Sequence, residues 1–233
     1  MKQNAFAELF VQLQSAPSDW LLQPYWLVKI DGGLLRKDSL PRRYLESVGM
    51  HFNERALNDA MEIRTIHQNR DAISRLCDQS MKLVISSYFD TRLSNYNRGR
   101  LKLITIRLET TALKGWLELA QTHHGLENGL KTFCIQTPGH KSALSHVMKH
   151  LNQNLGREFK LYDARPDERL AYIVGEYRER NLSINVLEEY LKLCLQVLHG
   201  VPSHQCAINS YQTVDDGYRV ENSSYNFWVP RID

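Results

Sequence analysis

Cys194, His199, His204 and Cys206 stand within the stretch CLQVLHGVPSHQC. Two thiolates and two imidazoles are the donor set of a tetrahedral zinc site. Their order, Cx4Hx4HxC, lacks the close cysteine pair with which structural zinc sites commonly open. The same residues also read as the end of a helix. Leu187, Leu191, Cys194 and Leu198 recur at helical spacing, which places Cys194 on an apolar stripe. His199 then falls in the last turn, at the negative end of the helix dipole. Gly200 and Pro202 are stop signals. The expectation is a helix end with no cofactor, and zinc held by the four side chains is the alternative.

The remaining histidines point to weaker chemistry. His123 and His124 are adjacent, and neighbours on a helix do not face each other. His146 and His150 share a helix face at a spacing of four. Val147 stands where a zinc protease needs glutamate, so that chemistry is not supported. His140 opens a helix whose amides are free to hold an anion, and Lys141, Lys149 and His150 follow it. Cys134 precedes this turn but has no recognisable activating partner. Glu109, Asp163 and Glu176 fall near the ends of expected strands, where acid–base groups of layered α/β folds tend to sit.

Neither GxGxxG nor GxxxxGK[ST] occurs, which argues against a nucleotide held by a standard phosphate loop. Short basic groups do occur, at Arg42-Arg43 and in NRGRLK, which carries Arg98, Arg100 and Lys102. Tyr44, Tyr88 and Tyr96 are interleaved with them. Lysine and arginine hold phosphates, and aromatic rings stack on bases. Arg42, Arg43, Arg98, Arg100, Lys102, His140, Lys141 and Lys149 are therefore the candidate nucleic-acid contacts.

The charge balance permits this without demanding it. Net charge is +3. Residues 1–102 carry 15 basic and 11 acidic side chains, and residues 183–233 carry 3 and 6. Four scattered cysteines are not a disulfide framework and suit a reducing compartment. The opening MKQNAFAELFVQLQSAPSDW lacks the basic start and apolar run of a secretory signal. No apolar run is long enough for a membrane helix, so a cytoplasmic protein without membrane association is expected.

The elements that would carry these groups follow from periodicity and punctuation. Helices are expected at 2–15, at PRRYLESVG with Ser39 near its cap, and from Asn53 to about Asp78. An extended run at 26–30 leads to the DGG turn at 31–33. Residues 81–95 read better as helix than strand. LKLITIRLE at 101–109 reads as a strand through its β-branched centre, and a helix follows at 111–123. KTFCIQT at 131–137, FKLYD at 159–163 and AYIVGEY at 171–177 are further expected strands. Helices are expected at 140–153 and at 185–198, with Ser183 as cap. The tail should form strands joined at Asp215-Asp216-Gly217.

The expected class is α/β or α+β, with a helical N-terminal half followed by a mixed β-sheet with packed helices. One compact domain over 1–233 is expected, with a subdivision into a mainly helical 1–98 and a mixed-sheet 99–233. The expected function is nucleic-acid association through a modest basic face, with no catalytic activity evident. Two alternatives stand beside it. One is a noncatalytic assembly protein that meets a partner or a second copy through its aromatic C-terminal strand. The other is an enzyme with a histidine- or metal-assisted hydrolytic or transferase site.

Overall fold

Asn53 starts the longest described helix by accepting a hydrogen bond from the Ala56 amide at 3.1 Å. In the computed structural model, residues 11, 28, 39–47, 49, 51–178, 183–221 and 225–232 are described. The expected helix at 2–15 and the extended run with its DGG turn lie outside them, apart from Val11 and Val28. Val28 is helical and buried, not extended. The described residues fall into two compact units, one within 1–118 and 142–159, the other within 119–141 and 160–233.

The first unit is helical. It contains α1 (Leu40–Ser47), α2 (Glu54–Leu76), α3 (Gln79–Asn97), most of α4 (Leu103–Thr122) and nearly all of α6 (Lys141–Leu155). Ser39 lies just before α1, and its hydroxyl accepts from the Arg42 amide at 3.4 Å. Asp78 caps α3, accepting from the Met81 amide at 2.8 Å and the Ser80 hydroxyl at 2.7 Å. Polar bridges set the helix register. Asn69 of α2 donates to the hydroxyls of Thr110 and Thr111 on α4, at 3.2 and 3.1 Å. Arg92 of α3 grips Glu109 of α4 with two hydrogen bonds, and Arg107 pairs with Glu62 of α2. Tyr88 of α3 packs its ring 5.1 Å from that of His150 on α6.

The second unit holds α5 (Leu126–Gln136), a 3-10 turn at Pro138–His140, α7 (Pro166–Tyr177), α8 (Ile184–His199), a 3-10 turn at Ser203–Gln205 and three strands. These are β1 (Ser210–Val214), β2 (Gly217–Glu221) and β3 (Asn226–Pro230), antiparallel in the order β1-β2-β3. Tyr211, Val220 and Phe227 form one cross-strand row, and Thr213, Tyr218 and Val229 the next on the same face. Val220 and Val229 from this face join Ile173 of α7 and Leu191, Cys194 and Leu195 of α8 in one apolar core. Gly217 permits the β2–β3 approach, because a Cβ there would collide with the Val229 carbonyl and the Trp228 indole.

The architecture is the expected one in class: a mostly helical N-terminal region followed by a small sheet with packed helices. It takes the α+β form, and four expected strands are absent. Residues 103–109 open α4. Its buried Leu103, Ile106, Thr110, Leu113 and Leu117 recur at three and four, with buried Trp116 beside the last, a period hidden in a nine-residue window. The β-branched centre costs a helix only a few tenths of a kcal/mol per residue, about what burial of one methylene returns. Residues 131–136 belong to α5, whose buried set Gly129, Leu130, Phe133 and Cys134 is a helical seam. Gly129 lies against Ala120, whose backbone a Cβ would strike. Residues 171–177 belong to α7, announced by Pro166 in its first turn and by Glu168, which accepts from the Arg165 amide at 3.1 Å. Residues 159–163 have no regular structure, and Asn152 holds the Phe159 backbone through both its N–H and its C=O.

Candidate functional site

The four residues of the Cys/His stretch are engaged separately. Cys194 is buried in the core of the second unit, and burial pushes its thiol up to about 11. His199 donates from Nε2 to the Trp228 carbonyl at 2.7 Å and stacks on Phe227 at 4.4 Å between ring centroids. Cys206 is buried and turned toward the carbonyls of Val201 and Pro202, at 3.5 and 3.4 Å. His204 accepts from the Gln205 amide at 3.2 Å. Gly200 ends α8 at φ 65°, and the Val201 amide reaches back to the Leu195 carbonyl at 3.0 Å. Among the described residues no three histidine, cysteine or acidic side chains converge on a point that could hold an ion.

The second unit instead builds an open cleft of about 830 Å³, lined by His140, Arg169, Glu188, Glu189, Lys192, His204 and Cys206. His140 and His204 are thus brought to one site from distant parts of the chain. The charges around them are paired: Arg169 with Glu189, and Lys192 with Glu188 at 4.0 Å. Burial raises the Cys206 thiol, which keeps it protonated. The cleft offers imidazole and amide groups with balanced charge, which suits a polar ligand better than a phosphate chain. Cys134 is buried, its thiol likewise raised by burial. Glu109, Asp163 and Glu176 are not at strand ends. Glu109 is buried in α4 against Arg92, Asp163 is exposed and bound to Lys141 at 2.8 Å, and Glu176 is exposed on α7. His123 and His124 are exposed at the end of α4, where His124 takes φ 56° and the Gly125 amide reaches the Ala120 carbonyl at 3.0 Å.

The basic candidates separate sharply by environment. Arg42 is 3% exposed, bound to Glu46 at 2.8 Å and to Glu54, with its guanidinium over the Phe52 ring. It has no face left for a phosphate. Lys141 is tied to Asp163. His140 lines the cleft of the second unit. Arg43 and Lys149 are exposed on α1 and α6. Arg98, Arg100 and Lys102 are all exposed on the turn between α3 and α4, and none makes an ion pair or side-chain hydrogen bond among the described residues. Backbone bonds from Arg98 to Ser94, Gly99 to Tyr96 and Arg100 to Asn95 fix the turn, and Gly99 supplies its φ of 70°.

Beside this turn lies a groove of about 700 Å³ that includes Arg55 and Asp59 from α2 with Tyr96, Asn97, Lys102 and Ile104. Arg55 and Asp59 were not anticipated, being some forty residues from the turn. The turn itself carried a sequence signal: from Thr91 to Leu108 there are five cations and no acid. Two of the five, Arg92 and Arg107, are used internally on Glu109 and Glu62, which leaves the three of the turn.

Among the described strands the C-terminal β3 lies at an edge, and two of its carbonyls are taken by side chains. His199 takes that of Trp228, and the Tyr190 hydroxyl takes that of Pro230 at 2.8 Å. β1 is the other edge, and no described strand pairs with its outer side. No described helix is long and apolar enough to cross a membrane. No protein-family model, curated protein or solved structure matches this chain.

Proposed function

We propose that this protein associates with nucleic acid through the α3–α4 turn of its first unit. The observation that supports the reading is the set Arg98, Arg100 and Lys102: three exposed cations in five residues, none engaged by a described side chain. Unpaired cations on a fixed turn bind phosphate without first giving up an internal partner. The segment before it contributes Tyr96, an aromatic face next to the phosphate-binding groups. Fluorescence anisotropy of labelled oligonucleotides titrated with the full chain tests this. Binding at low salt that weakens steeply as salt is added is the expected result, and no binding at low salt contradicts it.

A second reading, a histidine-assisted site, is favoured by one observation: the cleft of the second unit gathers His140 and His204. Imidazoles are suited to proton transfer near neutral pH. Under this reading a hydrolytic or transfer activity is lost on His140→Ala or His204→Ala. Under the nucleic-acid reading both variants bind oligonucleotides as the parent does.

A further inference from the structure

The groove beside the basic turn has a mixed character that a phosphate site would not have. Arg55 and Lys102 line it, yet so does Asp59, without an ion pair or hydrogen bond to any described residue. Glu62 lines it too, but its charge is taken by Arg107. An unpaired carboxylate repels a phosphate and accepts hydrogen bonds from amino groups. Tyr96 supplies a half-buried aromatic face, and Ile104, 48% exposed, an apolar one. Asn97 is exposed and brings both a donor and an acceptor. Aromatic face, apolar side chain, amide and carboxylate are together the recognition chemistry of a base, with Arg98 and Arg100 on the adjoining turn left for its backbone.

We infer that this groove receives an unstacked base bearing an exocyclic amino group, so that a single strand rather than a duplex is the partner of the basic turn. The inference rests on the nucleic-acid reading above. A base in a duplex has its amino group paired and its faces stacked, and reaching it costs unpairing. A single strand offers both at no such cost. The carboxylate of Asp59 accepts from the amino group of cytosine, whereas uracil presents a carbonyl at that position and is repelled.

The test compares labelled oligocytidine, oligouridine and a duplex of equal length, as RNA and as DNA, at neutral pH with the full chain. Oligocytidine is expected to bind about tenfold more tightly than oligouridine or duplex. Asp59→Asn replaces one acceptor by a donor, so it should abolish or reverse the cytosine preference while leaving the salt dependence unchanged. Asp59→Asn is nearly isosteric, and its thermal unfolding should match the parent's. Equal affinity for cytosine and uracil, a duplex bound as well as a single strand, or a preference untouched by Asp59→Asn overturns the inference. Salt-dependent binding that ignores base and strand overturns the inference alone, and no binding to any oligonucleotide overturns the basic-turn reading with it.

Discussion

The two units are built on different physics. Every described buried polar or charged residue, namely Arg42, Asn69, Glu109 and Thr110, lies in the first unit. The core cluster of the second is apolar, filled by leucine, valine, tyrosine and two unreactive cysteines. The first unit uses Arg42, Arg70, Arg92 and Arg107 on carboxylates and displays three cations together on the α3–α4 turn. The second pairs the charges that line its cleft, Arg169 with Glu189 and Lys192 with Glu188, and packs its sheet against α8. The contrast teaches that residue type alone does not identify a binding cation or a metal ligand. Arg42 and Arg98 differ in what lies beside them, and Cys194 differs from a zinc thiolate in being surrounded by hydrocarbon.

The largest expected effect attacks the polar interior of the first unit. Glu109 is 1% exposed, and Glu109→Ala strands the Arg92 guanidinium, which should cost about 3–5 kcal/mol in urea unfolding. The double variant Arg92→Leu/Glu109→Leu should recover much of that loss, because an apolar pair can replace a buried ion pair. A single-variant loss under about 1 kcal/mol breaks the contrast. Next comes a volume test in the second unit. Leu191, fully buried, should cost about 2–5 kcal/mol on Leu191→Ala, with no double variant able to offset it through charge.

A smaller effect sharpens the same contrast by pH. The Met81 amide and the Ser80 hydroxyl hold the Asp78 carboxyl below its ordinary range. Its folded value is depressed, so its contribution is full above the unfolded value and is lost as pH falls through the folded one. Asp78→Ala should cost about 1 kcal/mol at neutral pH. The gap from the parent should begin to close once pH drops below about 3.9. A gap that stays constant into acid would show that the cap acts through something other than its charge.

Punctuation was the legible part of the sequence. Asn53, Ser183, Gly200 and the Asp215-Asp216 turn each act locally, and the elements they bound stand where expected, although Ser183 makes no side-chain cap bond. Periodicity failed where windows were short. LITIR reads as a strand until Leu113, Trp116 and Leu117 are included, and KTFCIQT until Leu126 and Leu130 are. Of the site, the three cations of the turn were legible because NRGRLK gathers them within a few residues of sequence. Arg55 and Asp59 were not, since only the antiparallel course of α2 and α3 returns them to that turn. The loss of Arg42 was equally hidden: Glu54 is twelve residues away, and the ion pair depends on how α1 meets α2.

The most direct measurement is the salt dependence of single-strand binding by the parent and by the triple variant Arg98→Ala/Arg100→Ala/Lys102→Ala. Each phosphate contact contributes about −0.7 to the slope of log affinity against log salt. If the turn carries the interaction, the triple variant's slope should be shallower by about 2, with affinity at low salt correspondingly reduced. A variant whose slope and affinity match the parent's would contradict the assignment of function to this turn.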